Sequence, residues 1–145
     1  MAWTTPKTWN PGELVTAGDL NLHLRDNLNA LKTPPTALIR YTPGTPFSTT
    51  STTFVDIHSS LNFNLTTSGG ALLIGLTGRV YHNPGTNTDC YFDININGVS
   101  EGGANGVYWA VGPNSQQLPF SCTWLTQPLT AGAKTVKVQV KRGGG

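Results

Sequence analysis

The run Asp89-Cys90-Tyr91-Phe92-Asp93-Ile94-Asn95-Ile96-Asn97-Gly98 decides the fold class. In an extended chain Cys90, Phe92, Ile94 and Ile96 fall on one side and Asp89, Tyr91, Asp93 and Asn95 on the other. That period of two marks a strand with one face in a core. Asn97-Gly98 then supplies two residues that accept positive φ, the signal for a tight hairpin. The same alternation recurs at Leu61, Phe63 and Leu65, and at Val136, Val138 and Val140 between Lys137 and Lys141. Short runs rich in Val, Ile, Phe, Tyr and Thr predict strands near 37–41, 53–58, 61–66, 71–82, 89–97, 106–111, 118–126 and 135–141, with turns at Ser68-Gly69-Gly70 and Asn83-Pro84-Gly85. Eight short strands at even spacing predict a mostly β fold over residues 36–145, a jelly-roll-like antiparallel sandwich or barrel. The run 71–82 opens almost wholly apolar and reads as a central strand covered on both faces. In a small sandwich that second cover implies a neighbouring subunit.

Residues 1–35 read as a separate part, an extended arm (1–13) followed by one short α-helix (17–32). Two prolines and a Pro-Gly turn keep the arm irregular. It carries Trp3 and Trp9, large apolar groups that such a segment cannot bury by itself. Folding back on the β domain or docking on a partner would cover them, and docking is the expectation taken forward. Thr16 predicts the helix N-cap, with Asp19 completing a capping-box pair. Pro34 and Pro35 end the helix. Ala17, Leu20, Leu24, Leu28 and Leu31 share one stripe, with Leu22 on the opposite side. An isolated helix of this length is marginal in water. It must therefore pack on its own β domain or join an inter-subunit bundle in which Leu22 touches a second neighbour.

Composition narrows the function. Charged residues make up 11% of the 145-residue chain, with 21 Thr and 17 Gly in their place, against about 25% charged in a typical soluble domain. Such surfaces lie against one another at little electrostatic cost. The net charge is +2. Between Thr42 and Ala133 the sole Lys or Arg is Arg79, so no basic patch points to nucleic acid. Lys134, Lys137, Lys141 and Arg142 read as the solvated face of one strand. No apolar run is long enough for a membrane span and no signal peptide is evident, which predicts cytoplasmic synthesis and release within an assembled particle.

Chemistry is sparse. Asp56 and His58 share a strand face but lack a third ligand at a recognisable spacing, and a surface pair explains them. His23 reads as a surface or interface residue of the helix. No nucleophile elbow, zinc-protease, P-loop or dinucleotide motif occurs. The glycine-rich run 101–106 reads as a long flexible loop. Cys90 and Cys122 sit in register with apolar neighbours and read as core thiols. Tyr108 and Trp109 are adjacent, so at most one of them joins any sugar-stacking platform. No enzyme activity, cofactor or metal is expected.

Trp9, Gly12, Glu13, Thr16, Ala17, Leu20, Asn21, Arg25, Asp26, Asn27 and Leu31 together form a pattern that resembles the N-termini of small tailed-bacteriophage structural proteins, over roughly the first 35 residues. The β region more loosely resembles trimeric jelly-roll heads of phage tail fibres and capsid decoration proteins, and tumour-necrosis-factor and complement-like modules. Such heads close with a last hydrophobic strand, whereas here the strand runs into Lys141-Arg142-Gly143-Gly144-Gly145. Closure with fewer strands, an edge donated by a neighbour, or a chain continuing past Gly145 would each reconcile the two. The resemblance implies a virion protein, homotrimeric, bound to capsid or tail proteins through Trp3, Trp9, Leu20, Leu22, Leu24, Leu28 and Leu31. Capsid decoration is favoured over the tail because no shaft repeat occurs. The alternative is a tail-fibre or tail-tip protein that binds a host surface glycan, with Asn83, Asn87, Glu101 and Asn105 in its receptor-facing loops.

Overall fold

The computed structural model describes residues 4–32, 34–42, 44–81, 89–110 and 117–143. It is mostly β, with antiparallel pairing throughout and one short helical run. Strands β1 (Val55–Asp56) and β2 (Phe63–Thr67) both pair with β8 (Gly132–Arg142), at Val55↔Val140 and Phe63↔Val136. They are one strand interrupted by a 3-10 turn, Ser59–Leu61. Strand β4 (Cys90–Ile96) pairs with the other edge of β8. Its own far edge carries β5 (Val99–Ser100) and β6 (Tyr108–Ala110), again one strand broken by a 3-10 turn, Gly103–Asn105. The first sheet is therefore four strands wide. Facing it is a two-stranded sheet of β3 (Leu73–Tyr81) and β7 (Gln117–Leu125).

The chain crosses between the sheets after β2, β3, β6 and β7, and β8 returns between β1–β2 and β4. The result is a β-sandwich whose second sheet has, among the described residues, two strands. The expected alternation holds where the core needs it. Phe92, Ile94 and Ile96 of β4 and Val136, Val138 and Val140 of β8 are buried. Leu76, Val80 and Phe120 close one half of the core and Ile74 and Trp124 the other. Asn97 and Gly98 take φ of 52° and 89°, and the Asn97 side chain accepts from the Thr135 amide at 2.8 Å, so the hairpin is pinned to β8.

Four sequence expectations are corrected. Residues 37–41 form no strand; residues 34–40 are all exposed, Leu38 to 96%. The run 71–82 is not a doubly covered central strand. Its β3 pairs only with β7 among the described residues, and Leu73 stands 73% exposed on the outer face. Its apolar character comes instead from the inner face, where Gly78 leaves room for the Phe120 ring directly opposite. The C-terminal cations are not a solvated face. Lys134 is buried with its ammonium on the Thr130 hydroxyl, and Lys141 lies over the Phe54 and Tyr91 rings and donates to the Ala104 carbonyl. The glycine-rich run is a tethered turn. The Gly102 amide donates to buried Asp93 at 2.9 Å, and the Val107 amide to the Phe92 carbonyl at 2.8 Å.

Cys90 and Cys122 are free thiols facing the core. Burial pushes the Cys90 thiol up to about 11 and raises Cys122, which keeps both protonated and unreactive at neutral pH.

Asp56 ties β1 to β8. Its carboxylate accepts from Lys137 Nζ at 2.8 Å, Gln139 Nε2 at 2.7 Å and Asn62 Nδ2 at 3.2 Å. The Lys137 hydrogen bond, then that of Gln139, hold its carboxyl below the usual aspartate value. A group with a depressed folded pKa adds stability above its unfolded pKa and loses it as pH falls through the folded one. The wild type should therefore exceed Asp56→Asn in urea midpoint at pH 7, with the gap closing below about pH 4. A gap of the same size at pH 2.5 and pH 7 would refute this.

Candidate docking surface

The helical run 17–32 opens as expected. Thr16 caps it: its hydroxyl accepts from the Asp19 amide at 3.1 Å, and the Asp19 carboxylate accepts in return from the Thr16 amide at 3.3 Å. The run then departs from a uniform α-helix. An α-helical turn, Ala17–Leu20, leads into a π-helical turn, Asn21–Arg25, and α-helix resumes over Asp26–Lys32. The Asp26 amide reaches five residues back to the Asn21 carbonyl. A π turn holds one residue more than an α turn and so disturbs the usual bonding of nearby carbonyls. Here the Asn27 side-chain amide takes up the His23 carbonyl at 3.1 Å.

Asn27 does more than that. Its Nδ2 also donates to the Thr4 carbonyl and its Oδ1 accepts from the Thr4 amide, both at 2.9 Å. The side chain is 4% exposed and uses both donors and its acceptor, so the arm is clamped to the helix across 23 residues of sequence. Further along, Lys7 bridges Glu13 at 2.5 Å and Asp19 at 3.4 Å and lies 4.5 Å over the Trp9 ring. Trp9 meets His23 edge-on at 6.5 Å. The Asn10–Glu13 turn, with Gly12 at φ +81°, reverses the chain into the cap. Hydrogen bonding to Lys7 lowers the Glu13 carboxyl and hydrogen bonding to Thr16 lowers that of Asp19; the Glu13 bond raises Lys7. The arm thus lies on the helix and does not fold back on the β domain, and Trp9 keeps 39% of its surface exposed.

Between arm and helix runs an apolar groove of about 310 Å³, lined by Pro6, Trp9, Val15, Leu20, His23 and Leu24. The leucines of the predicted stripe are uncovered: Leu20, Leu24, Leu28 and Leu31 are 48–64% exposed, Leu22, set on the opposite side from sequence, is 44% exposed, and Leu14 is 83% exposed. Of the other predicted residues, Trp3, Asn83 and Asn87 lie outside the described residues. Glu101 is half-buried, with Trp124 Nε1 3.4 Å from its carboxylate, while Asn105 is exposed on the tethered turn. Asp56 and His58 do not form a reactive pair: Asp56 is taken by β8, and His58 accepts from the Ser60 amide and stacks on Tyr41 at 4.3 Å. Among the described residues no three His, Cys, Asp or Glu side chains are grouped to hold a metal.

Sequence reasoning missed Asn27 as the clamp and missed the π turn. The only available signal was an asparagine one position before Leu28 of the apolar stripe. Asn27→Ala is expected to free the arm without unfolding the β domain, since it removes the Thr4 bonds. Limited proteolysis should then cut the arm at least about tenfold faster with the urea midpoint of the β domain unchanged; equal cutting rates would refute the clamp.

No protein-family model matches the chain, and no match was found among curated proteins or among solved structures.

Proposed function

We propose that this chain is a non-catalytic structural subunit of a tailed-bacteriophage virion, a homotrimeric surface protein docked through its N-terminal arm and helix, on the capsid in preference to the tail. The observation that carries the assembly role is the leucine stripe. Its four leucines, and Leu22 opposite them, stay about half exposed on a 16-residue helical run although the arm is clamped against that run. A fully buried leucine contributes roughly 1.5–3 kcal/mol, so a stripe left in water forgoes several kcal/mol that a subunit contact recovers. The clamp pre-forms the unit, which lowers the ordering entropy lost on docking. The resemblance of this same segment to phage structural proteins supplies the particle.

The low charge of the β domain supports close packing of neighbours. The test is the mass of the purified chain in solution, then gold labelling of the β domain on virions. A trimer with label spread over the capsid is expected. A monomer with no particle association would overturn the proposal, and label confined to the tail would move the protein there.

A further inference from the structure

The reduced second sheet leaves two strand edges unpaired among the described residues, and they are not equivalent. The Thr126 amide donates to the Leu72 carbonyl at 3.0 Å, which makes Leu72 and Thr126 a hydrogen-bonded pair. By alternation, Ile74, Leu76, Gly78 and Val80 also bond to β7, while the amides and carbonyls of Leu73, Gly75, Thr77, Arg79 and Tyr81 point away from it. On β7 the outward positions are Gln117, Pro119, Ser121, Thr123 and Leu125. Pro119 has no amide proton to offer, so the free edge of β7 is interrupted in the manner of a protected edge strand. The free edge of β3 has no proline, and Arg79 is its one charged residue. A nine-residue edge of that kind is a template for another strand.

The chain also contains a segment of strand composition that pairs with nothing among the described residues. Residues 37–42, Ala-Leu-Ile-Arg-Tyr-Thr, have the composition of a strand, yet their backbone makes no hydrogen bond to any described residue. Leu38 is 96% and Ile39 38% exposed. The Tyr41 ring is fixed on His58, next to β1 of the wide sheet.

The geometry points to strand exchange: residues 37–42 of one copy add to the free edge of β3 in a second copy. The segment is the first stretch of chain after the leucine-striped helix, so copies joined through their helices bring it against a neighbour. The inference rests on the self-assembly proposed above. It accounts together for an unguarded edge, an unpaired segment of strand composition and a second sheet too narrow for the sheet it faces.

Amide hydrogen exchange on the full chain tests it. In the trimer the outward amides of Gly75, Thr77 and Arg79 should exchange on the order of 100-fold more slowly than in the monomeric Leu24→Asp chain. Ile39→Pro removes a donor amide in an exposed segment that the β domain does not need for folding. It should make those three amides fast while the mass stays that of the trimer. Thr77→Pro, which deletes an outward amide of β3 at a position not bonded to β7, should likewise make the remaining outward amides of Gly75 and Arg79 fast. Fast exchange in a wild-type trimer would overturn strand exchange alone, and so would slow exchange that persists in Ile39→Pro. Slow exchange in monomeric Leu24→Asp would make the donor the chain's own segment and overturn the second copy. A wild-type monomer would overturn the trimer reading itself.

Discussion

Replacing Gly106 with alanine should cost the fold about 3–5 kcal/mol, from backbone strain and the hydrogen bonds lost with it. Gly106 sits at φ +66° and ψ −176°, a region essentially reserved for glycine. A Cβ there would meet the Phe92 carbonyl oxygen at 2.2 Å, which neither backbone can accommodate. The turn must then lift from β4. That breaks the Val107 amide's bond to Phe92 and strips the Gly102 amide from Asp93, a fully buried carboxylate whose second oxygen has no hydrogen-bond partner among the described residues. Gly98→Ala is the control. Gly98 also has positive φ, at +89°, but open space surrounds it, so about 1 kcal/mol is expected. Urea midpoints of the two variants should differ clearly, and equal losses would show that the tethered turn is not part of the cooperative fold.

The second large effect concerns assembly. Leu24→Asp places a carboxylate in the apolar stripe, and burying it unpaired in a subunit contact costs several kcal/mol. With about 1.4 kcal/mol per tenfold, self-association should weaken by at least two orders of magnitude. The solution mass should fall to that of one chain. Leu24 also lines the arm groove, so Leu28→Asp, on the same stripe but not in that groove, separates a shared interface from a disturbed arm. A trimer that survives both substitutions would remove the helix from the interface.

How far the sequence carried differs from element to element. The core faces of β4 and β8 were legible because their apolar residues alternate and a period of two records that directly, although Asp93 on the other face of β4 is buried as well. Asn97-Gly98 fixed its hairpin through local backbone preference alone. The segment 71–82 misled because an apolar run reports what a strand is made of and not how many neighbours cover it. Val99–Ser100 carries no strand signal of its own, being two residues paired to β4 immediately past a turn. Residues 37–41 have strand composition but no strand partner among the described residues, a fact about tertiary context that no window of sequence contains. At the candidate interface, the Thr16 cap and the leucine stripe were readable from spacing. The Asn27 clamp joins residues far apart in sequence through a side-chain amide, and asparagine near the end of a helix carries no such message.

One feature of the wide sheet sets a timetable. Strands β1, β2 and β4 all find their pairing partner in β8, the last strand of the described chain. On a ribosome adding about 5–20 residues per second, roughly 4 to 17 s separate the emergence of β1 from that of β8. Phe63 leaves the exit tunnel near the start of that interval and Phe92 and Ile94 during it, all before there is a completed sheet to enter. Chaperones that recognise extended apolar segments have that window in which to act, and a nascent chain stalled before β8 would remain their client.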